Sequence, residues 1–139
     1  MSLEKFSAEI QTANTFSGPT IILGAPIFNG EVICENFIRI PLKTMNRHGL
    51  IAGATGTGKT KTLQVIAEQL SANGVPSLLM DIKGDLSGIA TMAQTNPKIE
   101  ERHTKIGLPY APDGSPVEFL SLSKDKGTRL RATVTEFGP

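Results

Sequence analysis

Hydrophobic and polar positions change period several times along this chain, and each change marks an element. Leu3, Phe6 and Ile10, set among Glu4, Lys5 and Glu9, predict a short amphipathic helix over 2–13 with Ser2 as its cap. Thr20-Ile21-Ile22-Leu23 and Phe37-Ile38-Arg39-Ile40 are strand-like, Asn29-Gly30 between them is a hairpin-turn pair, and Pro41 ends the second strand or puts it at an edge. Residues 17–42 therefore read as a small β element. The short apolar run Gly49-Leu50-Ile51-Ala52 predicts a buried strand over 48–52. Leu63, Ile66, Ala67 and Leu70 then recur at i, i+3, i+4, i+7, which predicts a helix over 59–72, stopped by Asn73-Gly74.

Beyond that helix, residues 75–81 are apolar apart from Pro76, Ser77 and the closing Asp81, as in a parallel strand covered on both faces. A broken helix is expected over 86–94. Asn96-Pro97 opens another and Gly107 closes it. Val117-Glu118-Phe119-Leu120-Ser121 is the third strand. The β-α-β-α-β order predicts an α/β doubly wound sheet with right-handed crossovers. Two units follow: residues 1–42, the N-terminal helix and small β element, and residues 43–139, part of a nucleotide domain. Three strands are fewer than the five or so of an average sheet. The chain is accordingly read as the N-terminal portion of a longer protein, with apolar surface left uncovered. Arg129 to Val134 reads as a link and Thr135-Glu136 as a helix start.

Totals narrow the class. With 139 residues, 39% apolar and 19% charged, the chain has the composition of an ordinary soluble domain with a real core. A net charge of +1 provides no strong field toward nucleic acid. No apolar run approaches the length of a membrane span, and the N-terminus has neither signal-peptide nor transit-peptide character. Cys34 is the single cysteine, so no intrachain disulfide forms, and a buried thiol is expected. A cytoplasmic location follows as the expectation.

The chemistry is concentrated in Gly53-Ala54-Thr55-Gly56-Thr57-Gly58-Lys59-Thr60, which fits the phosphate-binding pattern G-x-x-x-x-G-K-[ST] at every fixed position. A triphosphate needs several backbone N–H groups converging on its oxygens, and small residues let the backbone come that close. Lys59 would reach the β- and γ-phosphates and is the catalytic candidate. Thr60 would offer its hydroxyl to magnesium. The loop together with Lys61 forms the expected ATP-binding set, and the following helix points its positive end at the anion. The alternative, a Gly/Thr-rich turn matching by chance, is disfavoured by the strand and helix predicted on either side.

Asp81, at the C-terminal end of the second strand, lies on the edge where ligands bind in α/β sheets. It is either a magnesium ligand or a strand-end residue bonding nearby backbone N–H groups. His48 reads as structural rather than nucleotide-bound. Asn46 and Arg47 read as turn residues that could instead meet a base or a neighbouring subunit. His103 reads as solvent-exposed on a charged helix.

The stretch from Asn46 to Thr60, followed by Thr62-Leu63-Gln64, resembles the bacterial HerA-like helicase branch of the HerA/FtsK ATPase superfamily. The resemblance continues through Asp81-Ile82-Lys83-Gly84-Asp85-Leu86-Ser87-Gly88, Asn96-Pro97-Lys98-Ile99, Arg131-Ala132-Thr133-Val134 and Glu136-Phe137-Gly138-Pro139. It covers about residues 36–139. It implies an α/β P-loop NTPase three-layer sandwich with a mostly parallel sheet, incomplete here. It further implies a homo-hexameric, ATP-driven motor on double-stranded DNA. The family's later Walker B acid pair, polar sensor and arginine finger have no counterpart in these residues. A nucleotide-binding module without hydrolysis and a small-molecule P-loop kinase are the alternatives. The residues before the loop and the absence of an arginine-rich lid weigh against the kinase.

Overall fold

A computed structural model describes residues 1–34, 36–122 and 127–131. Helix α1 spans Leu3–Ala13, and its cap is Ser2, whose hydroxyl accepts the Lys5 N–H at 3.3 Å. At its other end Asn14 works in two directions. Its amide donates to the Ile10 carbonyl, and its side-chain oxygen accepts the Arg39 N–H at 2.8 Å, tying α1 to a strand far along the chain.

That strand is part of the predicted β element. Strand β1 (Thr20–Gly24) pairs antiparallel with β4 (Ile38–Pro41), with Ile21 opposite Ile40. Between them β2 (Ile27–Phe28) and β3 (Glu31–Val32) form a hairpin across Asn29-Gly30. Both turn residues have positive φ, 50° and 86°, as a two-residue type I′ turn requires. Phe28 lies against Phe6 of α1 at a ring separation of 4.9 Å.

Helix α2 spans Lys59–Ala72, the predicted bounds, and ends on Asn73 and Gly74, with Gly74 at φ 72°. Its apolar face meets β1. Ile21 is fully buried there, and Ala67 and Leu70 join Leu86 and Ile89 as the remaining buried apolar side chains among the described residues. Gln69 bonds the free edge of β1 at both groups of one residue. Its oxygen accepts the Ile22 N–H at 2.6 Å, and its amide donates to the Ile22 carbonyl at 2.7 Å. A side chain thereby supplies what a neighbouring strand would otherwise supply.

Past α2, a 3₁₀ turn over Ser87–Ala90 replaces the expected broken helix. Helix α3 (Pro97–Ile106) starts on Asn96, whose side chain accepts the Lys98 N–H, and stops at Gly107 in the left-handed conformation. Strand β5 (Leu120–Ser121) pairs in parallel with β6 (Thr128–Arg129).

The expected central strands differ. Residues 48–52 and 75–81 form no strand, and the expected strand over 117–121 shortens to β5. The described residues hold three separate two-stranded sheets rather than one continuous parallel sheet. The reason is pairing. A central parallel strand needs hydrogen-bonded neighbours on its edges and cover on both faces. Here Leu50, Leu78 and Met80 are 89%, 79% and 90% exposed, so these segments have strand composition without partners. The readings of 132–139, including Thr135-Glu136 as a helix start, fall outside the described residues.

Gln69→Leu keeps the volume and removes both bonds to Ile22. The variant should lose about 2 kcal/mol in a urea melt, because the strand-edge amide and carbonyl become unsatisfied in a half-buried place. A midpoint equal to that of the parent chain would show that water replaces the glutamine.

Candidate functional site

The segment before α2 folds around one atom, the Ala54 carbonyl oxygen. It accepts the Thr57 N–H at 3.4 Å, the Thr57 hydroxyl at 2.8 Å and the Lys59 ammonium at 2.8 Å. This fold requires glycine at 53, since a Cβ there would lie 2.5 Å from the Thr57 hydroxyl. It also requires glycine at 58, where φ is 95° at the N-cap of α2. Residues 53–58 are exposed, Lys59 is half-buried, and Thr60 and Lys61 are exposed. The predicted phosphate-binding residues thus sit together as a tight turn leading into a helix.

The helix start is electrostatically unusual. No side chain caps it, and its first turn holds no acidic residue. It carries Lys59 and Lys61 instead. Positive charge beside the positive end of a helix costs about 0.3–1 kcal/mol per residue. An anion bound to the orphan N–H groups of the first turn would reverse that sign and be attracted by both lysines.

Asp81 lies in a second loop. One carboxylate oxygen accepts the Lys83 N–H at 3.0 Å and the other the Leu86 N–H at 2.7 Å. The Leu86 bond foremost holds this carboxyl below the usual carboxylate range, with the Lys83 bond adding to it. The loop is fastened to α2 by Gln64, a buried polar residue whose amide donates to the Asp85 carbonyl at 3.0 Å. Sequence reasoning did not single out Gln64, Gln69 or Asn14 as positioning residues. The available signal was a polar residue facing inward on an otherwise apolar helix surface.

Among the described residues no group of three or more His, Cys, Asp or Glu side chains is placed to hold a metal. A magnesium ion that takes most of its ligands from water and phosphate needs few from protein, and the Thr60 hydroxyl at the helix start suits that role. Asn46, Arg47 and His48 are exposed. Two expectations are corrected. Cys34 is exposed, with its thiol donating to the Lys105 carbonyl at 3.1 Å, because it sits just past the β2–β3 hairpin rather than on an inward strand face. His103 is half-buried. Its Nδ1 is 3.0 Å from the Leu108 carbonyl and its ring tilts against Tyr110, because Gly107 turns the chain back over the helix end.

The helicase HerA-like C-terminal family matches residues 30–139. The chain belongs to that family. Membership associates it with ATPase motors of the HerA/FtsK type, in agreement with the resemblance read from the loop. The match begins inside the β2–β3 hairpin, so the HerA-like unit takes in β3 and β4 as well as α2. No curated protein and no solved structure matches the chain. No helix among the described residues is long and apolar enough to cross a membrane.

Asp81 yields a pH test in this HerA-like chain. Its folded-state pKa is depressed, so its bonds stabilise the 81–86 loop above the unfolded value. That contribution is lost as pH falls through the folded value. The Leu86 amide resonance should therefore titrate with a midpoint below the ordinary Asp value of about 3.9. A midpoint at or above that value would refute the assignment of the Leu86 bond to the ionised carboxylate.

Proposed function

We propose that residues 53–61 bind the phosphates of ATP, and that the chain is the ATP-binding part of a HerA-like, DNA-translocating ATPase. The single observation carrying this reading is the uncapped, doubly basic start of α2 behind a glycine-framed turn. The turn is held together by Lys59 itself. Such a start is mildly unfavourable when empty and favourable around an anion.

In this reading Lys59 leaves the Ala54 carbonyl and pairs with the β- and γ-phosphates, neutralising charge that develops during phosphoryl transfer. The N–H groups of the loop and of the first helical turn hold the phosphate oxygens. Thr60 and the phosphates hold magnesium, which supplies further charge neutralisation when bound. Asp81 shapes the neighbouring loop, and its exposed carboxylate, with one backbone N–H on each oxygen, keeps lone pairs that a magnesium ion would use. The wider architecture follows as part of the same proposal. It is a P-loop three-layer sandwich in which residues 48–52 and 75–81 become paired strands, within a cytoplasmic homo-hexamer acting on double-stranded DNA in the manner of the bacterial branch.

A second reading, binding without turnover, is favoured for the isolated chain by the Asp81 geometry. The Asp81 carboxylate has each oxygen engaged by a backbone N–H, which holds it in its own loop rather than on an attacking water.

ATP with magnesium should stabilise the chain by about 2.7 kcal/mol at a hundredfold excess over Kd, and Lys59→Ala should remove most of that shift. Thermal melts with and without nucleotide check this, and an unchanged shift in the variant would sink the role of Lys59. Phosphate release by the 139-residue chain should stay well below about 1 per second, the low end of ordinary enzyme turnover. Faster turnover would make Asp81 the first residue to test as a catalytic group.

A further inference from the structure

Thr57 occupies a position that the phosphate-binding pattern leaves free, yet its side chain is one of the most constrained in the loop. Its hydroxyl donates to the Ala54 carbonyl at 2.8 Å, and it lies over Gly53 so closely that no Cβ fits there. The Thr57 N–H and the Lys59 ammonium go to the same oxygen. Three donors suited to a phosphate oxygen therefore converge on a neutral carbonyl belonging to the loop.

We propose that the Ala54 carbonyl serves as an internal stand-in for a phosphate oxygen, and that Thr57 is the positioning residue that latches the empty loop onto it. The inference rests on the phosphate-loop reading and concerns how that loop opens. Nucleotide binding becomes an exchange of acceptors. The donors leave a neutral carbonyl oxygen for an anionic phosphate oxygen, and hydrogen bonds to a charged partner are shorter and roughly twice as strong. The exchange is downhill once phosphate is in place. Before then, the Thr57 hydroxyl bond must break for the cradle to open. Lys59 must leave the same oxygen but carries the charge that attracts phosphate, so removing the hydroxyl alone exposes the cost of opening and should speed association.

Two substitutions separate the hydroxyl from the shape of the side chain. Thr57→Val keeps the branched side chain over Gly53 without a donor, and Thr57→Ser keeps the donor. Stopped-flow binding of methylanthraniloyl-ATP with magnesium to the full chain reads the association rate directly. The Val variant should associate about fivefold faster, the effect of one net neutral hydrogen bond of about 1 kcal/mol. The Ser variant should return to the parent rate. In the nucleotide-free chain the Ala54 carbonyl carbon resonance should shift in the Val variant and not in the Ser variant. This second readout holds even if the Val chain is less stable. An unchanged or slower association rate for Thr57→Val, or a Ser variant behaving like Val, would overturn the latch. If Lys59→Ala abolishes binding while Thr57→Val changes neither readout, the latch fails and the phosphate loop stands. If the parent chain binds no nucleotide, the phosphate-loop reading itself fails, and the latch with it.

Discussion

Two glutamine side chains on one helix hold this structure together. Backbone N–H and C=O groups taken out of water need partners, and leaving one unmet costs about as much as a good contact gains. Gln69 meets that need for Ile22 on β1, and Gln64 meets it for Asp85 in the loop on the other side. Helix α2 is consequently bonded to the β element before it and to the acidic loop after it. The buried residues Ile21, Ala67, Leu70, Leu86 and Ile89 lie on the elements so joined. Ile21, Ala67 and Leu70 belong to the β1–α2 contact, and Leu86 and Ile89 come from the region the acidic loop leads into.

This arrangement bears on the candidate site because the loop at 53–58 runs directly into α2. The turn around Ala54 sets where the first helical N–H groups point, and the glutamines fix the rest of the helix against its surroundings. A positioned helix start with orphan donors and two lysines has the electrostatics that the proposed anion site requires. Its strength is electrostatic rather than apolar. In this it differs from the cleft of about 720 Å³ along the other end of α2, lined by Ala67, Leu79, Leu86, Ile89, Val117 and Phe119.

Local signals were legible in the sequence. Ser2, Asn96, Gly107 and the Asn29-Gly30 pair act within a few residues of themselves, and caps and a turn stand at all four places. The bounds of α2 were legible for the same reason, since helix periodicity and its stop signal are properties of a short window. The phosphate-loop residues were named individually because that pattern is contiguous. What was not legible depends on distant partners. Residues 48–52 and 75–81 have strand composition, but a strand exists only when another segment pairs with it. The glutamine bonds join positions far apart in sequence, so the helix pattern marks an inward polar residue but not the partner it bonds. Cys34 and His103 were misread because their exposure is set by chain reversals beside them, at the hairpin and at Gly107.

The bond between Gln69 and Ile22 spans 47 positions of sequence. Helix α2 and the β element that carries Ile22 can each form from nearer neighbours, with a helix taking about a microsecond and a hairpin up to about ten microseconds. Joining them means closing a long intervening loop, and the entropy of that closure must be met before either partner gains from the contact. The glycine-rich turn lies inside that loop. The bonds within that turn, from Thr57 and Lys59 to Ala54, are local and can form with the helix, but where the turn sits relative to the β element is set only when the helix docks.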